Sequence, residues 1–154
     1  MEIKARPIGY VRNDHDNRPQ DGWKRARSTI EVDEAYVEGL RGIGDYSHIM
    51  VLFWLDRLTP EDRERLVIHP KHRTDLPLVG VFATHSQYRP NPIAVTVCRL
   101  VEVSGRTLVV EGLDALDGTP VLDIKGYMPS HDEVGGVRVP EWVNKLFGDE
   151  AADG

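Results

Sequence analysis

The sequence predicts a single domain of the mainly β class, with minor α content. Strand signals outnumber helix signals, and no regular strand-helix-strand alternation appears, which argues against a doubly wound sheet. The 154 residues suffice for one hydrophobic core that needs neither disulfides nor metal to fold. We place this domain at residues 1–148 and expect residues 149–154 to be a disordered acidic tail.

Short strands and polar connections fill the first part of the chain. Residues 3–11 alternate loosely in hydrophobicity and are interrupted by Pro7, which suits an edge strand or a bulge. After a polar loop, residues 28–32 predict a short strand. Residues 34–40 are a short helix candidate, which the glycines that follow would end.

The most apolar stretch, residues 48–55, predicts a strand buried on both faces. A helix is predicted soon after it. Thr59 can cap that helix, Pro60 suits its first turn, and two acidic residues follow at the positive end of the helix dipole. We expect this helix to end near Leu66.

The second half of the chain is rich in strand signals. Both faces of residues 93–100 are largely apolar, which indicates either a barrel or a sheet packed on both sides. Ser104-Gly105 lies between two apolar runs and predicts a hairpin. Strands are predicted at 78–84, 93–103, 106–113 and 119–124, and a terminal helix at 140–147.

The net charge argues against a globally basic, nucleic-acid-binding surface. Lys and Arg number 19 and Asp and Glu 25, which gives −6, so any RNA contact must depend on a local patch. Basic residues gather in two segments, which are the predicted sites of polyanion contact or, alternatively, ordinary solvated surface. They are Lys24, Arg25 and Arg27, and the stretch from Arg63 to Arg73.

The single cysteine and the N-terminus predict a cytoplasmic protein without a membrane partner. Cys98 alone forms no intramolecular disulfide or cysteine-cluster metal site, and it fits a reducing compartment. The first residues lack the apolar core of a signal peptide, and the longest apolar run is too short to span a bilayer. Pro70 prevents regular helical spacing between His69 and His72, so no metal site is predicted.

Several common cofactor and nucleophile motifs are absent from the sequence. No Gly-x-Gly-x-x-Gly follows a strand, which argues against a Rossmann cofactor site. No Gly-Lys-Ser/Thr P-loop and no Gly-x-Ser-x-Gly elbow occur either.

A stiff polar loop interrupts the apolar strands within residues 80–93. Pro90 and Pro92 hold Arg89 and Asn91 in extended geometry. Polar side chains on a pre-ordered loop lose little entropy on binding, so the loop suits a binding surface. The pattern is equally compatible with a rigid crossover loop whose polar groups cap backbone atoms.

A second polar segment, residues 113–127, carries Asp123 and Lys125 two positions apart. On a strand they share one face, and Val121 is expected on that face too. A carboxylate and an ammonium placed in this way form either a structural ion pair or a functional pair in which each keeps the other charged.

These two segments resemble the TrmO (TsaA-like) family. The matching runs are GVFATHSQYRPNPI at 80–93 and LDALDGTPVLDIKGY at 113–127, and residues 8–12 and 39–48 fit as well. The resemblance implies a class of S-adenosylmethionine-dependent methyltransferases with a non-Rossmann β-barrel, typically a homodimer with its site near the subunit interface. The activity known in the family is N6-methylation of threonylcarbamoyl-adenosine beside the anticodon of tRNA.

The resemblance implies cofactor contacts in four parts of the chain. S-adenosylmethionine needs apolar walls for adenine, acceptors for the ribose and amino group, and a cation for its carboxylate. The implied residues are Pro19, Gln20, Asp21, Gly22, Asp56, Arg57, His85, Val95, Gly112, Leu113, Asp114 and Ala115.

Acceptor binding and proton handling are assigned to Arg89, Asp123, Lys125 and Tyr127. The cofactor's sulfonium is a strong electrophile, so the protein mainly has to align acceptor, methyl and sulfur. An acid-base group helps where the acceptor loses a proton. The implied partner is tRNA, contacted through the two basic segments.

Three departures from the family pattern bear on these expectations. His85 stands where the family usually has Arg, and histidine is shorter and titrates near neutral pH. Gly126 replaces a proline, which is expected to loosen the backbone before Tyr127. Longer members carry a C-terminal extension that helps to hold tRNA, and these 154 residues do not include one.

The alternatives to tRNA methylation are methylation of another nucleoside or a small molecule, and non-catalytic binding of S-adenosylmethionine.

Overall fold

Antiparallel strands close into a barrel, which confirms the predicted mainly β fold. A computed structural model describes residues 1–153 and the side chains of residues 1–148. The strands are β1 (Gly9–Arg12), β2 (Arg27–Val32), β3 (His48–Trp54), β4 (Val67–Ile68), β5 (Val79–Gly80), β6 (Ile93–Ser104), β7 (Thr107–Glu111) and β8 (Pro120–Gly126). Within the described residues the barrel order is β1-β2-β7-β6-β3-β8, and β4 pairs with β5 in a separate small sheet.

Short helices connect the strands. The α-helices of the described chain are α1 (Pro60–Glu64), α2 (Pro129–Asp132) and α3 (Glu141–Asp153), and 3-10 helices occur at Glu34–Leu40, Ile43–Asp45, Pro70–His72 and Val81–Ala83. Thr59 caps α1 as predicted, because its hydroxyl accepts from the Asp62 amide while the Asp62 carboxylate accepts from the Thr59 amide. Across residues 1–153, no helix combines the length and apolar character that a membrane span requires.

The terminal helix is longer than the sequence pattern predicts. The backbone of α3 continues through residues 149–153 of the segment predicted as a disordered tail, and Gly154 lies outside the described residues. The stretch after Gly148 contains Glu and two Ala, which are good helix formers and propagate a helix once it has begun.

Alternating side chains of the strands fill the barrel interior. Ile49, Val51 and Phe53 of β3 point inward and are fully buried, together with residues such as Ile30 and Leu108. The other face of β3 is only half-covered. The expectation that this strand is buried on both faces is therefore wrong, since a closed barrel buries one face of each strand and the outer face needs a further layer.

Two predicted strands are shorter in the structure. The stretch predicted as strand 78–84 contains only β5, followed by a 3-10 turn, because its partner β4 offers just two residues for pairing. β1 begins at Gly9 and not at residue 3, and Pro7 before it has no N–H to donate to a ladder. The hairpin turn lies at Gly105-Arg106, one residue later than predicted.

A bulge in β8 changes which side chains share a face. Leu52 of β3 pairs with Asp123, but the next residue, Phe53, pairs with Val121, so β8 holds one extra residue at that point. Val121 is consequently fully buried inside the barrel, whereas Asp123 and Lys125 are exposed outside. The prediction that Val121 shares their face is wrong.

Candidate functional site

One end of the barrel carries an open cleft of about 260 Å³. The loop after β1, the chain after β3, the loop before β6 and the turn after β7 all meet there. Its lining consists of Arg18, Trp23, Leu55, Asp56, Arg57, Leu58, Gln87, Asp114, Ala115, Leu116 and Thr119. Carboxylates, guanidiniums, one indole ring and aliphatic walls thus surround a space suited to a small organic ligand with both charges.

Arg57 connects the loops that form the cleft. Its guanidinium donates to the carbonyl oxygen of Asp117 at 3.0 Å and to that of Asp16 at 3.3 Å. The chain leaving β3 is thereby tied to the loop after β1 and to the turn after β7. Arg57 also lines the cleft, so it both assembles the site and presents positive charge to it.

Asn13 fixes the turn that supplies the opposite wall. Its side-chain amide donates to the Ser28 hydroxyl and to the carbonyl oxygen of Ala115, both at 2.9 Å. Its backbone amide donates to the Asp117 carboxylate at 3.0 Å. The Asp117 carboxylate therefore serves turn formation, while Ala115 is held where it borders the cleft.

Asp114 lies exposed at the edge of the cleft, where the Thr96 hydroxyl donates to its carboxylate. The buried Cys98 lies in the same region of β6. Burial, and secondarily the Asp114 charge, raise the pKa of the Cys98 thiol to about 12. A buried, protonated thiol is poorly suited to act as a nucleophile at neutral pH.

Trp23 is the aromatic wall of the cleft. A tight turn in which the Gly22 amide donates to the Pro19 carbonyl at 3.0 Å precedes it, and Gly22 has a φ of 78° that suits glycine. The His15 ring packs against Trp23 edge-on, with ring centroids 5.5 Å apart. This contact holds the indole in place beside the cleft.

The structure brings part of the predicted cofactor set together. Asp56, Arg57, Asp114 and Ala115 line the cleft. The turn between Arg18 and Trp23 consists of Pro19, Gln20, Asp21 and Gly22. Arg18 and Trp23 line the cleft, whereas the four turn residues do not. Outside the lining are His85, which is exposed on its loop, Val95 on the outer face of β6, Gly112, and Leu113, which is fully buried in the core.

The predicted acceptor-binding residues do not line this cleft. The half-buried Arg89 guanidinium donates to the carbonyl oxygens of Ser86, Val81 and Thr84 at 2.9, 3.1 and 3.3 Å. It therefore holds its own loop closed. These contacts match the crossover-loop alternative, in which polar groups satisfy backbone atoms.

Asp123 and Lys125 form an ion pair on the outer face of the barrel. The Lys125 Nζ lies 3.5 Å from a carboxylate oxygen of Asp123, and both side chains are more than half exposed. The Tyr127 amide donates to the His48 carbonyl at 3.1 Å, which continues the ladder beyond β8. Such an exposed pair adds little stability.

Gly126 is tightly packed and does not loosen the chain. It pairs with Ile49 across β3, and a Cβ on this glycine would lie 2.5 Å from the Tyr46 ring. Glycine in place of the family's proline therefore leaves room for the Tyr46 ring against the strand.

The basic stretch from Arg63 to Arg73 is largely engaged within the protein. Arg63 donates to the Pro90 carbonyl at 2.8 and 3.0 Å and lies over the Trp54 ring. Arg73 pairs with Asp75 at 2.6 Å, and contacts with Arg73 and Lys145 hold the pKa of the Asp75 carboxyl well below its usual range. Within the other segment Arg27 pairs with Glu111, whereas Lys24 and Arg25 are exposed.

Sequence reasoning missed the cleft residues that flank the predicted ones. They are Arg18, Trp23, Leu55, Leu58, Gln87, Leu116 and Thr119. The available signal is a tryptophan in an otherwise polar loop, together with leucines on either side of Asp56-Arg57. Among residues 1–148, whose side chains the structure describes, no group of three is arranged to hold a metal ion.

Comparisons with known proteins identify relatives of this chain. Residues 12–133 match the family model described as the tRNA-methyltransferase O N-terminal domain. An S-adenosyl-L-methionine-binding protein of Archaeoglobus fulgidus is 40% identical over 131 residues, which are 82% of this chain and 91% of that protein. A probable S-adenosyl-L-methionine-binding protein of the same organism is 41% identical over 143 residues, 90% of this chain.

The chain spans only part of some relatives. It covers 38% of the second Archaeoglobus protein. The crystal structure of TrmO from Pseudomonas aeruginosa is 32% identical, with a TM-score of 0.71, and the match covers 92% of this chain and 63% of that one. The family match extends over most of the chain, and the fold agrees with it. This chain therefore belongs to the tRNA-methyltransferase O family, which it matches through that family's N-terminal domain.

Proposed function

We propose that the chain is an S-adenosylmethionine-dependent methyltransferase that binds its cofactor in the cleft at the end of the barrel. The observation that carries the proposal is the set of groups around the cleft, in a chain of the tRNA-methyltransferase O family. Relatives named as S-adenosylmethionine-binding proteins support the choice of cofactor.

The cleft lining fits this cofactor chemically. Trp23 and the aliphatic walls suit the adenine ring, and the Asp56 and Asp114 carboxylates suit ribose hydroxyls and the amino group. Arg57 and Arg18 suit the carboxylate. Bound there, the cofactor supplies an electrophilic methyl group.

The proposed acceptor is N6 of threonylcarbamoyl-adenosine beside the anticodon of tRNA, which places the protein in the cytoplasm. Methyl transfer forms the N–C bond as the C–S bond breaks, and a proton leaves N6, so a proton acceptor is needed. Asp123, with Lys125 beside it at 3.5 Å, is proposed for this role. Arg89 and Tyr127 are proposed to position the acceptor.

Strand register supports a link between these residues and the cofactor side of the barrel. Leu52 of β3 pairs with Val95 on one side and with Asp123 on the other, so the three side chains form one row across the outer face. In the next row Val97, Met50 and Lys125 align in the same way. A site that begins in the cleft and extends along this face would include members of both predicted sets, namely Val95 with Asp123 and Lys125.

A second copy of the chain is proposed to pack on the β6 side of this outer face, next to Asp123 and Lys125. Ile93, Val95 and Val97 are 45%, 57% and 45% exposed on β6, and a contiguous apolar row on a barrel exterior is typical of an interface. Val97→Glu is expected to convert a homodimer into a monomer in sedimentation analysis. A wild-type chain that sediments as a monomer at micromolar concentration would contradict this part of the proposal.

Nucleoside mass spectrometry tests the reaction. Purified protein is incubated with S-adenosylmethionine and tRNA that carries threonylcarbamoyl-adenosine but lacks its N6-methyl group. We expect the N6-methylated nucleoside to appear and to depend on Asp123, with Asp123→Asn as the test variant and the exposed Asp45→Asn as its matched control. Equal turnover by Asp123→Asn and wild type would remove the assigned role of Asp123.

A second candidate function is binding of S-adenosylmethionine without methyl transfer. It is favoured by the Arg89 guanidinium, which is engaged by backbone carbonyls, and by the absence of the four predicted acceptor-side residues from the lining of the cleft. Cofactor binding without methylated product from tRNA, free nucleosides or small-molecule acceptors would favour this function over the first.

A further inference from the structure

A stacked cluster lies beside the cleft on the connection between β3 and β6. The Arg65 guanidinium lies over the Tyr88 ring, 4.8 Å from its centroid. The His72 ring meets Tyr88 edge-on, with centroids 6.4 Å apart. Gln87, the neighbour of Tyr88 in sequence, lines the cleft. The cluster therefore borders the proposed cofactor site without forming part of its lining.

The backbone beneath the cluster is strained. Lys71 and His72 have φ angles of 49° and 58°, in the left-handed region that residues other than glycine adopt uncommonly. Hydrogen bonds hold this corner, since the His72 amide donates to the His69 carbonyl and the Arg73 amide donates to the Pro70 carbonyl, each at 3.0 Å. Strain maintained in this way is typical of functional sites, and here it sets His72 against Tyr88.

Positive charge links the cluster with the cleft. Burial, and secondarily the charge of Arg18, lower the pKa of the Lys71 ammonium. Arg18 lines the cleft, and the Lys71 Nζ lies 6.0 Å from the centroid of the Phe147 ring. A phosphate near these two cations would meet favourable electrostatics.

The exposed Arg65 guanidinium is accessible to a ligand, whereas the nearby Arg63 guanidinium is engaged by a backbone carbonyl. Arg63 donates twice to the Pro90 carbonyl and is half-buried. Arg65 is exposed, with its guanidinium stacked on the half-buried Tyr88. Guanidinium planes and aromatic rings are the surfaces on which proteins stack unpaired RNA bases.

We propose that the Tyr88–Arg65–His72 cluster stacks an unpaired base of the RNA acceptor, adjacent to the nucleotide that is methylated. The inference rests on the proposed function, because it takes the acceptor to be an anticodon loop. The proposed RNA contact is a stacking surface on the β3–β6 connection. The sequence alone predicts RNA contact in the same connection through the charges of the basic stretch from Arg63 to Arg73.

Equilibrium RNA binding without cofactor tests the proposal. The probe is a fluorescein-labelled anticodon stem-loop carrying threonylcarbamoyl-adenosine, measured by anisotropy with Arg65→Ala, Arg65→Lys, Tyr88→Leu and Tyr88→Phe. We expect roughly tenfold weaker binding for Arg65→Ala and Tyr88→Leu. Tyr88→Phe keeps the ring and should bind within about twofold of wild type. Arg65→Lys keeps the charge but not the plane and should remain weak.

Controls separate stacking from folding and from cofactor binding. Arg41→Ala, at the opposite end of the barrel, should not change RNA binding, and the melting temperature of each variant identifies loss of fold. Full rescue by Arg65→Lys, or unchanged binding of Tyr88→Leu, would overturn the proposal. Absence of cofactor binding or methyl transfer in wild type would instead count against the proposed function, because RNA binding is measured separately.

Discussion

The barrel and the connection between β3 and β6 are held together by different interactions. Barrel strands bury aliphatic and aromatic side chains, and Phe53 is 1% exposed. The connection, residues 55–92, leaves large apolar side chains such as Phe82 at 78% exposure. It buries a few apolar side chains, such as Leu76 and Val81, and arginines add hydrogen bonds to it, from Arg63 to the Pro90 carbonyl and from Arg89 to the loop carbonyls.

The difference separates what determines the fold from what shapes the site. Apolar burial closes the barrel and places loop ends together at one rim. Hydrogen bonds then fix the loops at that rim, where Arg57 and Asn13 join segments that are distant in sequence. Substitutions in the barrel should therefore change global stability, whereas those in the connection should change local order and binding.

The largest effect is expected from truncation of the barrel core. Phe53→Ala should reduce the free energy of unfolding by about 3–5 kcal/mol, because it leaves a cavity among fully buried side chains. Phe82→Ala is the matched control in the connection and should stay within about 0.5 kcal/mol of wild type. Urea denaturation followed by circular dichroism measures both, and equal losses would contradict the contrast between the regions.

A smaller effect is expected where β8 passes beneath Tyr46. Gly126→Ala should cost roughly 1–3 kcal/mol, because the new Cβ would overlap the Tyr46 ring. Gly135→Ala, which meets no atom within 4 Å, serves as the control. In a Tyr46→Ala background the cost of Gly126→Ala should shrink, and an undiminished cost in the double-mutant cycle would exclude Tyr46 as the cause.

In the connection, Arg89→Lys should act locally. A lysine cannot reproduce the fork that meets the Ser86 and Val81 carbonyls, and a loss of about 1–2 kcal/mol is expected. Hydrogen exchange should speed up in residues 84–92 and not in β3. The control is Arg41→Lys, which affects an exposed pair with Glu38. Unchanged exchange with lost activity would make Arg89 a catalytic group and not a structural one.

The barrel should also protect its cysteine over a wide pH range. Burial raises the pKa of Cys98 to about 12 from an ordinary 9.0, so a thiol reagent should react slowly with the native protein even at pH 10. Above pH 9 the thiol ionises in the unfolded chain but not in the folded one. The free energy of unfolding therefore falls as the pH rises. Rapid labelling at pH 8 without denaturant would show that the barrel opens.

Local patterns predict much of the fold, because strand periodicity and capping act over a few residues. The Thr59 cap and strand β6 follow directly from such patterns. The bulge that turns Val121 inward depends on pairing with β3 and has no local signal. The cleft was predictable at Asp56, Arg57, Asp114 and Ala115, through family resemblance. Trp23 and Gln87 reach it through loop packing that spacing alone does not specify.

Isothermal titration of S-adenosylmethionine into the purified chain tests the cofactor cleft most directly. Saturable binding is expected, with one site per chain. Asp114→Asn and Arg57→Met should weaken it at least tenfold, while Asp45→Asn, on the 3-10 helix before β3, should not. Absence of binding heat over a range of temperatures, or affinity unchanged in both cleft variants, would contradict the assignment of this cleft to the cofactor.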